Sequence, residues 1–153
     1  MTPSGSPTLP PREPSGPVLF FDGACGLCNR IVRLMLRWDP HGRIGFAPLQ
    51  GRLAQTYLRL HGLPTVEFDT LVFIPDWQRR EVPEYLLRTD GVIAALRVAG
   101  GGAARMLATV LAILPQRVRD DGYRLVGRWR FRFFGPWRPR PLPRAEWAAR
   151  FFE

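Results

Sequence analysis

Residues 18–29 read Val18-Leu19-Phe20-Phe21-Asp22-Gly23-Ala24-Cys25-Gly26-Leu27-Cys28-Asn29 and contain both cysteines of the chain. The apolar run that opens this stretch is typical of a short buried strand, and a helical pattern of apolar residues follows it. The Cys-x-x-Cys pair is therefore expected at the end of a strand and on the first turn of a helix. Free backbone N–H groups and the positive end of the helix dipole favour a thiolate at such a position. This placement predicts a pair that takes part in thiol-disulfide exchange.

The pattern of strands and helices extends from this stretch along most of the chain. A first strand over 18–21 is followed by the elements predicted from periodicity and turn residues: helix 26–38, strand 43–48, helix 51–60, strand 70–74, strand 82–87 and helices 92–99, 103–114 and 116–134. Pro83 indicates an edge position for the last strand, and Thr89 or Asp90 is expected to cap the helix that follows. Helices joining the first three strands predict a parallel start, to which the last strand adds an antiparallel partner.

This order, with Cys-x-x-Cys at the end of the first strand, predicts an α/β protein of thioredoxin-like fold. We expect a four-stranded mixed sheet flanked by helices, with extra C-terminal helices. Residues 18–135 are predicted to form this domain. Residues 1–17 are rich in Pro, Ser and Gly and are expected to be a disordered tail, whereas residues 136–153 form a Pro/Arg-rich C-terminal extension.

The net charge of +9 comes entirely from an excess of arginine, because the chain contains no lysine. Residues 116–153 hold 10 of the arginines against four acidic residues. A solvated arginine face is the simpler interpretation of this segment. The alternative is peripheral contact of residues 116–134 with an anionic membrane surface or an acidic partner. No nucleic-acid-binding motif is present, so nucleic acid is not expected as a partner.

The chain shows no targeting or membrane-spanning pattern. Residues 1–17 lack the charged start and apolar core of a signal peptide. The longest clean apolar run, Met106 to Leu114, is far shorter than the ~20 residues that span a bilayer. These observations predict a soluble cytoplasmic protein.

Three residues are predicted to carry the chemistry. Cys25 comes first, at the helix start, and is expected to be the exposed nucleophile. Cys28, one turn on, is expected to be the buried resolving thiol that releases the reduced substrate. Asp22 either accepts the proton of Cys28 during resolution or caps the turn through backbone N–H groups. The substrate is a thiol- or disulfide-containing protein or small molecule, and the exchange requires no bound cofactor.

The motif Phe21-Asp22-Gly23-x-Cys25-x-x-Cys28 resembles the signature of the DCC family, thiol-disulfide oxidoreductases named for an Asp-Cys-Cys motif. Residues 87–91 resemble the family's Ser-Asp-Ala segment before a helix. Residues 123–126 and 130–134 are similar to its Tyr- and Arg-rich terminal helix. The resemblance covers residues 18–135 and implies a thioredoxin-like fold with thiol-disulfide exchange activity, but no particular substrate.

The chain departs from related patterns at three places. Gly91 stands where the family usually has Ala, and no further cysteine follows the terminal helix, so a third redox partner in the same chain is not expected. Phe68-Asp69-Thr70 occupies the place of the cis-proline of thioredoxin, so the way thioredoxin pairs with a substrate backbone is not expected here.

Other classes of protein fit the residues less well. A zinc site would need two ligands besides the cysteines, and His41 and His61 lack the required spacing. A haloacid-type phosphatase would need a second Asp two positions after Asp22, where Ala24 stands. A non-enzymatic binding module, built on the basic helix over 116–134, is the alternative from a different class.

Overall fold

The computed structural model describes residues 12–138 and 140–153. The predicted disordered tail over 1–17 therefore lies largely outside the described residues. The described part contains a four-stranded sheet with helices on both faces, consistent with the thioredoxin-like fold. This agrees with the predicted α/β class, the mixed sheet and the additional C-terminal helices.

The sheet has the strand order β2-β1-β3-β4. Its strands are β1 (Val18–Phe21), β2 (Gly45–Pro48), β3 (Val72–Ile74) and β4 (Leu86–Leu87). Strands β1 and β2 run parallel, whereas β3 is antiparallel to both β1 and β4. The parallel orientation expected for the third strand is therefore wrong. The segment over 61–71 carries the chain back along the sheet, so β3 enters from the end at which β1 finishes.

Strand β4 is much shorter than the predicted strand over 82–87. The N–H of Val82 donates to the Arg79 C=O over 2.9 Å, and the N–H of Glu84 donates to the Val82 C=O over 2.7 Å. Pro83 has no N–H to offer to a sheet. The backbone of this segment is thus used in local turns, and only two residues remain to pair with β3.

Five α-helices accompany the sheet: α1 (Gly26–Trp38), α2 (Arg52–Leu60), α3 (Arg88–Ala99), α4 (Gly102–Ile113) and α5 (Gln116–Phe134). Helix α3 begins four residues before its predicted start, and Leu87 is its N-cap. The expected cap at Thr89 or Asp90 is wrong because both side chains contact α5 instead. The Thr89 hydroxyl donates to the Arg119 C=O, and Asp90 forms an ion pair with the Arg119 side chain.

Strand β1 is buried on both faces and separates two hydrophobic clusters. Leu19 and Phe21 belong to the cluster that packs against α1, α3 and α4. Val18 and Phe20 belong to the cluster on the opposite face, which includes Tyr57 of α2. The alternation follows from the two-residue period of a strand. It places the end of β1, and the motif that follows it, between two packed hydrophobic layers.

The C-terminal extension packs back onto this core. Trp147 is 7% exposed and joins the cluster of Leu19 and Phe21. The N–H of Phe152 donates to the Phe46 C=O over 2.9 Å, and Arg150 pairs with the fully buried Asp39. The Pro/Arg-rich composition of residues 136–153 did not predict these contacts.

Of the helices in the described part of the chain, none is both long enough and apolar enough to cross a membrane.

Candidate active site

The two cysteines lie on the first turn of α1, as predicted. Cys25 is the N-cap residue, and the N–H of Cys28 donates to Cys25 Sγ over 3.4 Å. The side-chain amide of Asn29 donates to the Gly23 and Cys25 carbonyl oxygens at 3.0 and 2.9 Å. Both cysteines are free thiols. The Cys25 sulfur thus occupies the position in which a Ser or Asp oxygen commonly caps a helix.

The exposure of the two thiols is the reverse of the prediction: Cys25 is the more deeply buried of the two. Cys25, expected to be exposed, has a relative accessibility of 0%. Cys28, expected to be buried, is only half-buried. A segment distant in sequence, Gly135-Pro136-Trp137, lies across the cysteine turn and pairs with Cys25. We refer to residues 135–137 as the strap.

The strap pairs with the backbone on both sides of Cys25. The N–H of Gly26 donates to the Gly135 C=O over 3.1 Å, and the N–H of Trp137 donates to the Ala24 C=O over 2.8 Å. The resulting contact is an antiparallel β-bridge between Cys25 and Pro136. The strap therefore lies directly beside Cys25, which has no accessible surface.

The Cys28 thiol is strongly held in its neutral form. Burial, then the hydrogen bond and the charge of neighbouring Cys25, raises the pKa of Cys28 to about 12, and the Asp22 charge adds to this effect. Arg130 of α5 acts in the opposite direction, with Nη1 3.6 Å from Cys28 Sγ. A positive charge at this distance stabilises negative charge on the sulfur when the proton is removed.

Asp22 forms the centre of a buried polar network at the end of β1. Its Oδ2 lies 3.1 Å from Arg130 Nη2, in an ion pair whose side chains are 7% and 13% exposed. Its Oδ1 accepts hydrogen bonds from Gln50 Nε2 at 2.7 Å and from the Ala24 N–H at 3.0 Å. The bond to Ala24 is the turn-capping role predicted for Asp22 as one alternative. Its role as proton acceptor stays a prediction.

Helix α5 also builds the surroundings of Cys28. Arg130 Nη2 donates to the Phe68 C=O, and the Tyr123 hydroxyl accepts from the Leu71 N–H over 3.0 Å. Burial raises the pKa of Tyr123. A small, mostly apolar cavity of about 80 Å3 is lined by Cys28, Tyr123 and Arg130 among others. An adjoining cleft of about 300 Å3 is lined by Phe68, Asp69, Arg88, Tyr123, Arg124, Gly127, Arg128 and Arg130.

Within residues 12–138 and 140–153, no group of three or more His, Cys, Asp or Glu side chains is placed to hold a metal ion. The site brings together the two sulfurs and the Asp22–Arg130 ion pair.

Comparison with known proteins agrees with the geometry. The profile of the DCC1-like thiol-disulfide oxidoreductases matches residues 19–136, which include both cysteines, Asp22 and Arg130. The chain belongs to this family. It is 35% identical to the uncharacterised protein YuxK of Bacillus subtilis over 134 residues, which cover 88% of this chain and 92% of the relative. It is 26% identical to a chloroplastic DCC family protein of Arabidopsis thaliana over 124 residues, or 81% of this chain and 68% of the relative.

No solved structure matches the chain significantly. Membership of the DCC1-like family and the paired free thiols support a redox role for the site.

Sequence reasoning about this family member identified the cysteines and Asp22 but not their partners. From sequence, Arg130 was predicted only to lie in the basic helix over 116–134. It also falls within residues 130–134, which resemble the terminal helix of the family. That resemblance is the one signal that could have indicated a role at the site. Gln50, which contacts Asp22 and the Gly23 N–H, carried no signal.

Proposed function

We propose that this protein catalyses thiol-disulfide exchange, with Cys25 as the nucleophile and Cys28 as the resolving thiol. The observation that carries the proposal is the contact between them, in which the Cys28 N–H donates to Cys25 Sγ at the N-terminus of α1. A backbone N–H at a helix N-terminus that points at a sulfur can stabilise negative charge that develops there during exchange. Burial raises the pKa of Cys28 to about 12 and so keeps that thiol protonated until it is needed.

The exchange has two steps. Cys25 Sγ⁻ attacks one sulfur of a client disulfide, a Cys25–client S–S bond forms, and the other client sulfur leaves as a thiolate. Cys28 then loses its proton and attacks Cys25 Sγ, the Cys25–client bond breaks, and the second client sulfur leaves as a thiolate. The client has gained two electrons, which the Cys25–Cys28 pair has lost. A thiol or dithiol reductant returns the pair to its reduced form, and the reverse sequence oxidises a client dithiol.

Asp22 is the proposed acceptor of the Cys28 proton in the second step. Arg130 is a positioning residue in this scheme, because it holds Asp22 at 3.1 Å and contacts Cys28 Sγ at 3.6 Å. Its charge would stabilise the thiolate that forms when Asp22 takes the proton. On this basis Asp22→Asn is expected to slow resolution while the first attack continues, so that mixed disulfides accumulate.

A redox titration of the pair against reduced and oxidised glutathione tests the proposal. We expect one reversible Cys25–Cys28 disulfide, which is absent from Cys25→Ser, and stable mixed disulfides with clients in Cys28→Ser. This is an equilibrium measurement, so slow access to Cys25 does not affect the result. A pair that never becomes oxidised, at any glutathione ratio, would overturn the proposed function.

We also propose that α5 and α4 bring this site to an anionic membrane surface. No apolar residue of helix α5 is buried, and an apolar stripe lies beside a basic stripe on its outer surface. The apolar stripe is Val118, Leu125, Trp129 and Phe133, each 37% to 73% exposed. The basic stripe is Arg117, Arg124, Arg128 and Arg132.

Helix α4 adds exposed Met106, Val110 and Ile113. Apolar insertion together with arginine–phosphate contact is typical of helices that lie in a membrane interface.

Co-sedimentation with lipid vesicles tests the membrane proposal. Binding is expected to vesicles that contain phosphatidylserine but not to phosphatidylcholine alone, and it should weaken as salt is added. A Trp129→Ala/Phe133→Ala variant should lose binding, whereas Leu60→Ala, which removes an exposed apolar side chain from α2, should retain it. Equal binding to both kinds of vesicle, or none to either, would contradict the proposal.

A further inference from the structure

The strap pairs with the backbone on both sides of the proposed nucleophile, Cys25. Cys25 has no accessible surface, although it caps a helix at the end of the sheet. We propose that the strap is a lid over Cys25, and that the backbone edge beneath it binds an extended polypeptide segment of the client once the lid opens. The inference rests on the proposed thiol-disulfide exchange.

The closed position is held by contacts with α1. The Arg33 guanidinium lies 4.9 Å from the centre of the Trp137 ring. The same side chain donates to the Arg140 C=O at 2.6 Å and to the Pro141 C=O at 3.3 Å. Arg30 lies 5.4 Å from the centre of the Phe134 ring, before the strap. The strap is thus secured on both sides by arginines of the helix that carries the cysteines.

The same segment has the features of a part that can move. Among the described residues, neither hydrophobic cluster contains a strap residue. Pro136 is exposed and Trp137 is half-buried. Gly135 has φ +66°, and a Cβ added there would contact nothing within 4 Å, so this glycine is a suitable hinge between α5 and the strap. Opening would cost the two backbone hydrogen bonds and the arginine contacts but no part of the core.

The edge exposed by opening has the groups needed to bind a peptide. The Ala24 C=O and the Gly26 N–H flank Cys25 and are the two groups that pair with the strap. One acceptor and one donor in this arrangement can add an antiparallel strand. A client segment that replaces the strap would be aligned beside Cys25, the residue that attacks its disulfide.

Gly26 is the residue that permits such close backbone pairing. A Cβ at this position would lie 2.7 Å from the Phe134 oxygen and 2.9 Å from the Gly135 oxygen. Gly26→Ala should therefore displace the strap. It should also obstruct a client polypeptide that occupies the same place, whereas a small disulfide needs no backbone pairing and should react freely.

The lid is tested in the full chain carrying Cys28→Ser, where Cys25 is the single cysteine. Iodoacetamide should modify this Cys25 more slowly than an exposed cysteine. Adding Trp137→Ala, Arg33→Ala or Gly26→Ala should accelerate modification about threefold to tenfold, because the loss of a contact shifts the closed–open equilibrium by roughly that factor. Gly122→Ala on α5 is the matched control and should leave the rate of modification unchanged. A Cβ added at Gly122 would have no neighbouring atom within 4 Å.

The peptide edge is tested with two disulfides that release the same coloured thionitrobenzoate ion when Cys25 attacks. One is the small symmetric disulfide formed by two thionitrobenzoate groups. The other is a peptide of extended sequence whose cysteine is joined to thionitrobenzoate by a disulfide. Trp137→Ala should accelerate release from both. Gly26→Ala should accelerate release from the small disulfide but should slow release from the peptide relative to Trp137→Ala.

A Cys25 that is as reactive as an exposed cysteine in the parent, or that is unaffected by all three variants, would overturn the lid. Equal acceleration of both disulfides by Gly26→Ala would overturn the peptide edge. Neither readout requires a redox-active pair. A failed glutathione titration beside a positive lid result would thus overturn the proposed function alone, and a failed lid beside a successful titration would overturn this inference alone.

Discussion

Arg130 and Asp22 form a buried ion pair, with Nη2 and Oδ2 3.1 Å apart and side chains 13% and 7% exposed. The pair connects the last long helix to the end of the first strand. It therefore makes the cysteine site dependent on residues from both ends of the domain. The same guanidinium contacts Cys28 Sγ at 3.6 Å, so a change at Arg130 affects both the stability of the fold and the chemistry of the thiol.

Removal of Arg130 should destabilise the protein strongly. Arg130→Ala leaves the Asp22 carboxylate buried without its cation, for which a loss of about 3–5 kcal/mol in the free energy of unfolding is expected. Urea denaturation measures this loss. Arg128→Ala, an exposed position on the same helix, serves as the control and should change stability by no more than about 0.5 kcal/mol.

The variant that combines Arg130→Ala with Asp22→Asn should lose less stability than the sum of the two single losses, because the two side chains interact directly. Purely additive losses would contradict the ion pair.

Titration of Cys28 should show its environment directly. In Cys25→Ser the two contributions of Cys25 are removed, so the pKa of Cys28 should fall below about 12 but stay above its ordinary value of 9.0 because of burial. The rate of alkylation by iodoacetamide, followed from about pH 7 to about pH 11, should still rise beyond pH 9. Adding Arg130→Ala should move the midpoint upward, since the guanidinium lowers the pKa of this thiol. A midpoint at the ordinary value would show that the thiol is not buried as described.

Tyr57 should make the protein less stable at alkaline pH. Its hydroxyl is buried without a hydrogen-bond partner in the described structure, and burial, then Tyr85, raises its pKa from 10.0 to about 12. The folded chain keeps this proton when the unfolded chain releases it, so the contribution of Tyr57 to stability is constant below pH 10 and falls as pH rises from 10 through about 12.

Tyr57→Phe should reduce the loss of stability at alkaline pH. Part of that loss should remain in the variant, because the pKa values of Cys28 and Tyr123 are also raised. At neutral pH this variant should be as stable as the parent or more stable, because an unsatisfied buried hydroxyl is removed. Urea denaturation at about pH 7 and about pH 10.5 provides the comparison. An equally steep fall in parent and variant would disprove the assignment to Tyr57.

The C-terminal extension should contribute to folding. Trp147 is 7% exposed within the main hydrophobic cluster, so Trp147→Ala is expected to cost about 3–5 kcal/mol through the cavity that it leaves. Trp129→Ala removes the same side chain from a position that is 37% exposed and should cost less than about 1 kcal/mol. Thermal and urea denaturation of the two variants test the difference. Similar small losses in both would show that the extension does not stabilise the core.

Several features of the fold were predicted from sequence because they depend on neighbouring residues. The apolar run of β1, the N-cap position of Cys25 and the helical spacing after it are local patterns, and they placed both thiols correctly. Helices α4 and α5 followed from their periodicity in the same way. The strand over 82–87 was predicted too long because the local hydrogen bonds around Pro83 compete with the sheet.

The sequence by itself determined the class of the protein, the strand–turn–helix that carries Cys25 and Cys28, and the position of Asp22 before them. Only the tertiary structure decided which thiol is covered, the partners of Asp22 and the direction of β3. These properties arise where segments distant in the chain pack together, as when Arg130 reaches Asp22 or the strap crosses Cys25. Periodicity and spacing describe a residue's neighbours along the chain, and long-range packing has no comparable signature in them.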